Sequence, residues 1–192
     1  MTSHAEKHPL SAEDYLIMER TADTRHELVD GEIFAMTGAS RAHNLINGNV
    51  FAALHSQLKD RPCEIYNNDM RVKISPAGDY VYPDIVVVCD PPRFEDEHVD
   101  TLLNPTLIIE VLSDSTEAYD RGGKFTAYRT LDSLSEYLLI TQHEARIEHY
   151  TRQTPAGWLL TEVTGLPNSL ELPSINCRLM LNEVYAKVDL AA

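Results

Sequence analysis

Basic residues are scarce in this chain: 16 Lys and Arg stand against 30 Asp and Glu over 192 residues, for a formal net charge of −14 and a pI near 4.8. Such a balance favours solubility and long-range repulsion from polyanions, and it argues against a surface that coats nucleic acid broadly. A local site stays open, because a divalent metal and a few basic side chains reverse the potential within a Debye length of about 10 Å. Cysteine is also sparse. Cys63, Cys89 and Cys177 are odd in number, far apart and without CxxC spacing, so neither a disulfide framework nor a thiolate zinc site is indicated, and all three read as small core residues with free thiols. Long apolar runs are missing. None approaches the roughly 20 residues of a membrane span, and Met1 to Pro9 lacks an apolar signal core, so the expected location is the cytoplasm, without membrane contact. GxSxG, HExxH and Rossmann fingerprints are absent, and Gly122-Gly123-Lys124 lacks the upstream glycine of a P-loop, which ranks those enzyme classes last.

What is present is an ordinary globular composition, 43% apolar and 24% charged, with no internal repeat, low-complexity tract or linker. One domain over residues 1–192 is expected, with residues 1–10 as a flexible tail. Its organising stretch runs from Tyr82 to Lys124. Tyr82-Pro83-Asp84-Ile85-Val86-Val87-Val88 and Leu107-Ile108-Ile109-Glu110-Val111-Leu112 are short, β-branched and apolar on both faces, the signature of strands in a sheet covered on both sides. Each carries one carboxylate. Alternation puts Asp84 on the face of Val86 and Val88, and Glu110 on the face of Ile108 and Leu112. An ionised carboxylate in such company costs several kcal/mol unless it is paired, bound to a metal or protonated. On neighbouring strands, Asp84 and Glu110 would share one hard cation; the alternative is two strand-end acids at the lip of the sheet.

Before that stretch, Ser11 is a good N-cap for a short helix with Asp14 in its acidic first turn. Arg25 to Val29 and Glu32 to Met36 flank Asp30-Gly31, a type I′ signal that predicts a hairpin. Glu27 and Glu32 read as solvated hairpin residues, with one of them able to face the cleft that holds Asp84. From His43 to Lys59 the spacing turns helical, with Ser40 as N-cap; His43 in the first turn reads as a capping, surface or site residue. Met70 to Ile74 alternates as a half-exposed strand, and Asp69 before it is either turn chemistry or an auxiliary acid.

After Glu110, a helix is expected from about Glu117 to Leu131, on which Asp120, Lys124 and Tyr128 recur every four residues and line one face. Such a helix, returning across the sheet, would bring Lys124 over the two acids. Glu136 to Ile140, Ala145 to Tyr150 and Gly157 to Val163 read as strands, the last two forming an outer antiparallel meander around Gln153 to Gly157. Leu181 to Tyr185 reads as a terminal helical turn covering one edge.

The order helix, strand with Pro83-Asp84, strand with Glu110, helix with Lys124 resembles the PD-(D/E)xK nuclease superfamily. More closely, the chain resembles the Uma2 family, through His26-Glu27-Leu28-Val29-Asp30-Gly31-Glu32-Ile33, His43, Pro83 to Val88, Glu110-Val111-Leu112-Ser113 and Asp120-Arg121-Gly122-Gly123-Lys124-Phe125. The resemblance implies an α/β (α+β) fold: a restriction-endonuclease-like core with a mixed central β-sheet flanked by helices, an N-terminal β-hairpin and a C-terminal antiparallel meander. It implies Asp84 and Glu110 as ligands of Mg²⁺ or Mn²⁺, Lys124 as the third catalytic residue, DNA as substrate and a homodimer. Glu27, His43, Asp69 and Asp120 are auxiliary candidates. The superfamily pattern asks for lysine two residues after the second acid, where this chain has Leu112; Lys124 on the next helix takes its place. A nuclease-like binding or assembly module that cuts nothing is the alternative reading.

Overall fold

The computed structural model describes residues 10–76, 78–113, 116–153 and 157–190. Helix α1 (Ala12–Glu19) starts at Ser11, whose side chain accepts from the Asp14 amide. Strands β1 (His26–Val29) and β2 (Glu32–Ala35) make the expected hairpin, with Asp30 and Gly31 both at positive φ (51° and 79°), as a type I′ turn requires. Helix α2 (Arg41–Leu58) is capped by Ser40, which accepts from the His43 amide. Asn44, Asn47, Gly48 and Asn49 are poor helix formers, so α2 depends on packing. Ile46, Val50, Leu54 and Leu58 supply it, all buried against the sheet and contributing roughly 1.5–3 kcal/mol each.

Strands β3 (Glu64–Asn67), β4 (Arg71–Lys73), β5 (Tyr80–Val81), β6 (Ile85–Val88), β7 (Thr101–Leu102) and β8 (Leu107–Val111) follow. Beyond β8 come α3 (Glu117–Tyr119), a π-helical turn (Asp120–Lys124) and α4 (Phe125–Tyr128), then β9 (Glu136–Ile140), β10 (Arg146–Arg152), β11 (Trp158–Thr164), β12 (Ser169–Leu172), β13 (Cys177–Met180) and α5 (Leu181–Val184). The central sheet has six strands in the order β11-β10-β9-β8-β6-β3, antiparallel except for the β8–β9 pair. This mixed sheet and the β10–β11 meander are as expected; residues 154–156 of its turn lie outside the described residues.

Alternation along the central strands divides the core. Ile85, Val87, Leu107, Ile109, Leu138 and Ile140 pack with α2, the β12–β13 hairpin and α5. Val86, Val88, Ile108, Leu112 and Leu139 face the other way, toward Tyr128 and a second sheet of five strands ordered β2-β1-β5-β4-β7. Asp84 and Glu110 belong by alternation to this second face, so the second sheet and the π-helical turn close over them.

Four expectations change. Cys63 and Cys89 form a disulfide rather than two free thiols: Cys63 precedes β3 and Cys89 follows β6, and Glu64 stands opposite Val88 in that antiparallel pair, so the register brings the sulfurs together. Only Cys177 is free among the described cysteines. The helix expected to Leu131 ends at Tyr128 and is broken by the π-helical turn. The terminal turn α5 packs against α2 rather than capping a sheet edge. The strand at Arg71 is buried in its first two positions, because it is an inner strand of the second sheet, between β5 and β7, and Val72 packs into the core shared with the central sheet. The tail expected at residues 1–10 lies, up to residue 9, outside the described residues.

Candidate active site

The β6–β8 pairing places Ile85 opposite Ile109, which brings the residues one step further out, Asp84 and Glu110, side by side. Their bonds are reciprocal. The Asp84 amide donates to Glu110 Oε2 (3.2 Å), and the amide of Val111 donates to Asp84 Oδ2 (2.7 Å). Side chains from four other elements complete the cluster. His43, in the first turn of α2, places Nε2 3.1 Å from Asp84 Oδ2. Glu27 on β1 accepts from the Tyr82 amide (3.1 Å). The π-helical turn delivers Lys124, whose Nζ lies 3.2 Å from Glu110 Oε1, 3.2 Å from Glu27 Oε1 and 3.6 Å from Asp120 Oδ1. Tyr128, one turn on, donates to Glu110 Oε1 at 2.8 Å.

A π-helical turn is a common device for aiming functional side chains, and this one contains Gly122-Gly123. At Gly123 a Cβ would stand 2.6 Å from the Tyr119 ring, so glycine lets that ring pack over the turn. A longer brace runs behind the cluster. Ser40 Oγ donates to Gln142 Oε1 (2.5 Å), and Gln142 Nε2 donates to the Leu112 carbonyl (2.7 Å). The start of α2 is thereby tied to the end of β8.

Of the seven residues singled out from the sequence, six converge: Glu27, His43, Asp84, Glu110, Asp120 and Lys124 line one cavity of about 750 Å³. Asp69 does not. Its side chain is 70% exposed and sits 3.7 Å from Arg25 Nε, a surface pairing of the kind that contributes little. Two residues of the cluster went unassigned in the sequence. Tyr128 carried a signal, its four-residue spacing from Lys124; Gln142 carried none.

The charges in the cluster do not balance. Burial, opposed by Lys124 and reinforced by Asp84, Asp120 and Glu27, pushes the Glu110 carboxyl up to about 8. Burial likewise raises Asp120, with Lys124 and a Thr116 hydrogen bond opposing and Asp84 and Glu27 adding to it. For Lys124, burial alone would favour the neutral amine, but Glu110, Glu27 and Asp120 outweigh it and hold its pKa above the ordinary value. Lys124 is therefore an ammonium that donates, and the acids around it share too much negative charge for one lysine.

That surplus bears on a metal. Asp84 and Glu110 are hard oxygen donors on one cavity wall, the donor type that Mg²⁺ and Mn²⁺ take, and the proton held at Glu110 near neutral pH marks where a cation would relieve repulsion. Among the described residues no three His, Cys, Asp or Glu side chains gather at ligand spacing, so Asp84 and Glu110 would share such an ion with water. The donor set fits the group.

Two acids from adjacent strands of a mixed sheet, a lysine from the following helix and a covering α2 define a restriction-endonuclease-like fold. The chain belongs to the Uma2 family, described as "Putative restriction endonuclease", whose family model matches residues 12–182. Its relatives include two Synechocystis sp. proteins: sll1609, 42% identical over 81% of this chain and 88% of that protein, and slr1290, 35% identical over 96% and 97%. Among solved structures, a "putative nuclease belonging to DUF820" from Anabaena variabilis superposes with a TM-score of 0.76, covering 93% of this chain and 98% of that one at 16% identity. At that identity the likeness speaks for the fold. Among the described residues no helix is long and apolar enough to cross a membrane.

Proposed function

We propose that this chain is a metal-dependent endonuclease that hydrolyses DNA phosphodiester bonds, with Asp84 and Glu110 holding Mg²⁺ or Mn²⁺ and Lys124 acting beside them. One observation carries the reading: the Lys124 ammonium stands 3.2 Å from Glu110 Oε1 although position 112, where the superfamily places its lysine, is a buried leucine. The lysine has moved in sequence and still reaches the acid. The family's description and the nuclease of like fold support the same class of chemistry.

When bound, the ion would supply Lewis-acid polarisation of the phosphoryl group and acidify a water. The protein's own residues do the rest. Lys124, held charged by Glu110, Glu27 and Asp120, donates toward negative charge developing on the phosphoryl oxygens and does not serve as a base. His43 and the Val111 amide fix the Asp84 carboxylate; Tyr128 and the Asp84 amide fix Glu110.

The test is cleavage of supercoiled plasmid and of single-stranded DNA with Mg²⁺ or Mn²⁺, comparing wild type with Asp84→Ala, Glu110→Ala and Lys124→Ala. Cutting by the wild type that vanishes in all three folded variants is the expected result. An inert wild type, or variants that cut as well as it does, would overturn the assignment and favour a binding module, a reading to which the full commitment of Lys124 to three carboxylates also lends weight.

A further inference from the structure

The floor of the cavity is ionic, but its rim is aromatic. Phe34 stands directly opposite Glu27 in the β1–β2 ladder, and directly opposed residues of an antiparallel pair share a face. Its ring therefore lies beside that carboxylate, and it is 51% exposed while lining the cavity. Tyr119 lines the same cavity from the helix side, 37% exposed, 5.9 Å from the Lys124 ammonium and seated over Gly123. Asn68 adds an exposed amide that can serve a base edge.

Charge decides what such a rim receives. Lys124 is the sole Lys or Arg among the described residues lining the cavity, against Glu27, Asp30, Glu32, Asp84, Glu110 and Asp120, and its charge is already committed to three of them. Duplex DNA presents phosphates outward and hides its base faces, so proteins grip it through free Arg and Lys. A single strand carries phosphates as well, which its binders track with a positively charged groove, but it also exposes base faces, on which aromatic side chains stack regardless of sequence. The rim offers the second kind of contact and lacks the first. The cavity, about 750 Å³, also falls within the range of about 300–1,000 Å³ usual for small-ligand sites, enough for unstacked bases.

From the pairing of exposed Phe34 and Tyr119 with a cavity wall almost devoid of basic residues, we infer that this site takes a single-stranded polynucleotide, its unpaired bases stacking on the two rings. The inference rests on the nuclease reading for the cavity floor and names the strandedness of its substrate.

Fluorescence anisotropy of wild-type protein with end-labelled oligothymidylate, oligouridylate and a DNA duplex of equal length, in EDTA and again in Ca²⁺, reads affinity apart from turnover. Single strands bind at least about tenfold more tightly than the duplex, and Phe34→Ala and Tyr119→Ala each weaken single-strand binding about tenfold, the weight of one base–aromatic stack. Tyr119→Phe keeps the ring and binds as wild type. Thermal unfolding establishes that each variant is folded; if Tyr119→Ala is not, Phe34→Ala on its exposed strand decides alone. Tighter binding of oligouridylate keeps the single-strand inference and makes the substrate RNA. A duplex bound as tightly as the single strands, no binding to any probe, or a folded Phe34→Ala that binds at wild-type strength would overturn it. Ring-dependent single-strand binding without cleavage in Mn²⁺ would sink the nuclease reading alone, whereas cleavage confined to duplex DNA would sink this inference alone.

Discussion

His43 Nε2 lies 3.1 Å from Asp84 Oδ2, joining the first turn of α2 to the strand end that carries the first acid. The imidazole is only 13% exposed, so it fixes the carboxylate and excludes water from one side of it. Groups that orient a metal-binding carboxylate typically account for about 10–100-fold in metal affinity. His43→Ala should therefore weaken Mn²⁺ binding by about tenfold, measured by titration calorimetry, while leaving the far-UV spectrum unchanged. Unaltered Mn²⁺ affinity in that variant would show that His43 is only a helix-cap neighbour.

Lys124 offers a sharper test of the electrostatics. Its removal leaves Glu27, Glu110 and Asp120 facing one another with no cation between them, and breaking a buried ion pair from one side costs roughly 3–5 kcal/mol. Lys124→Met should lose stability of that order in urea unfolding at neutral pH. The loss should shrink in acid, where Glu110 and Asp120, whose proton affinities burial raises, take up protons and need the ammonium less. Equal losses at both pH values would mean that packing, not charge, holds Lys124 in place.

Much of this was readable because the periodicities are strong where they matter. Asp84 and Glu110 interrupt apolar strands at positions that alternation assigns to one face, and Asp30-Gly31, Ser11 and Ser40 mark their turn and caps by side-chain chemistry alone. Other features depend on contacts between distant segments. Glu27 and Glu32 look alike in a hairpin; only the approach of the π-helical turn separates the acid that meets Lys124 from the one left exposed. Asp69 looked as eligible as His43 and lies at the surface. Strands as short as Tyr80–Val81 and Thr101–Leu102 carry no period, so the second sheet could not be seen. The Cys63–Cys89 bond follows from cross-strand register, which a sequence separation of 26 conceals.

The pH dependence has a definite sign. Folding raises the Glu110 carboxyl from 4.5 to about 8. A group with raised proton affinity stabilises the folded chain fully below its unfolded value, and that contribution is lost as pH climbs through the folded value. Metal-free protein should thus lose unfolding free energy between 4.5 and about 8 on the pH scale, with Asp120 acting in the same direction. Lys124 does not oppose this, since its own contribution persists until the pH passes 10.5. Urea unfolding in EDTA across the window should show the fall, and Glu110→Gln should flatten it whatever its baseline. Mn²⁺ should raise the melting temperature more at the alkaline end, because there it displaces no proton. A flat wild-type profile would mean that Glu110 is ionised throughout.

Gln142 holds the arrangement from behind. Its amide spans Ser40 Oγ and the Leu112 carbonyl, and Ser40 in turn caps the helix that carries His43. Gln142→Ala leaves the Leu112 carbonyl without that donor in a buried setting and frees the α2 N-terminus to shift. A buried polar group left unsatisfied costs about 1–3 kcal/mol, and urea unfolding should show a loss of that size. The stability change alone would not distinguish a brace for the site from an ordinary buried hydrogen bond. Mn²⁺ titration does: if the brace positions His43 against Asp84, Gln142→Ala should lower Mn²⁺ affinity, and adding it to His43→Ala should lower that affinity no further. Independent, additive losses in the double variant would show that Gln142 supports the fold and not the His43–Asp84 contact.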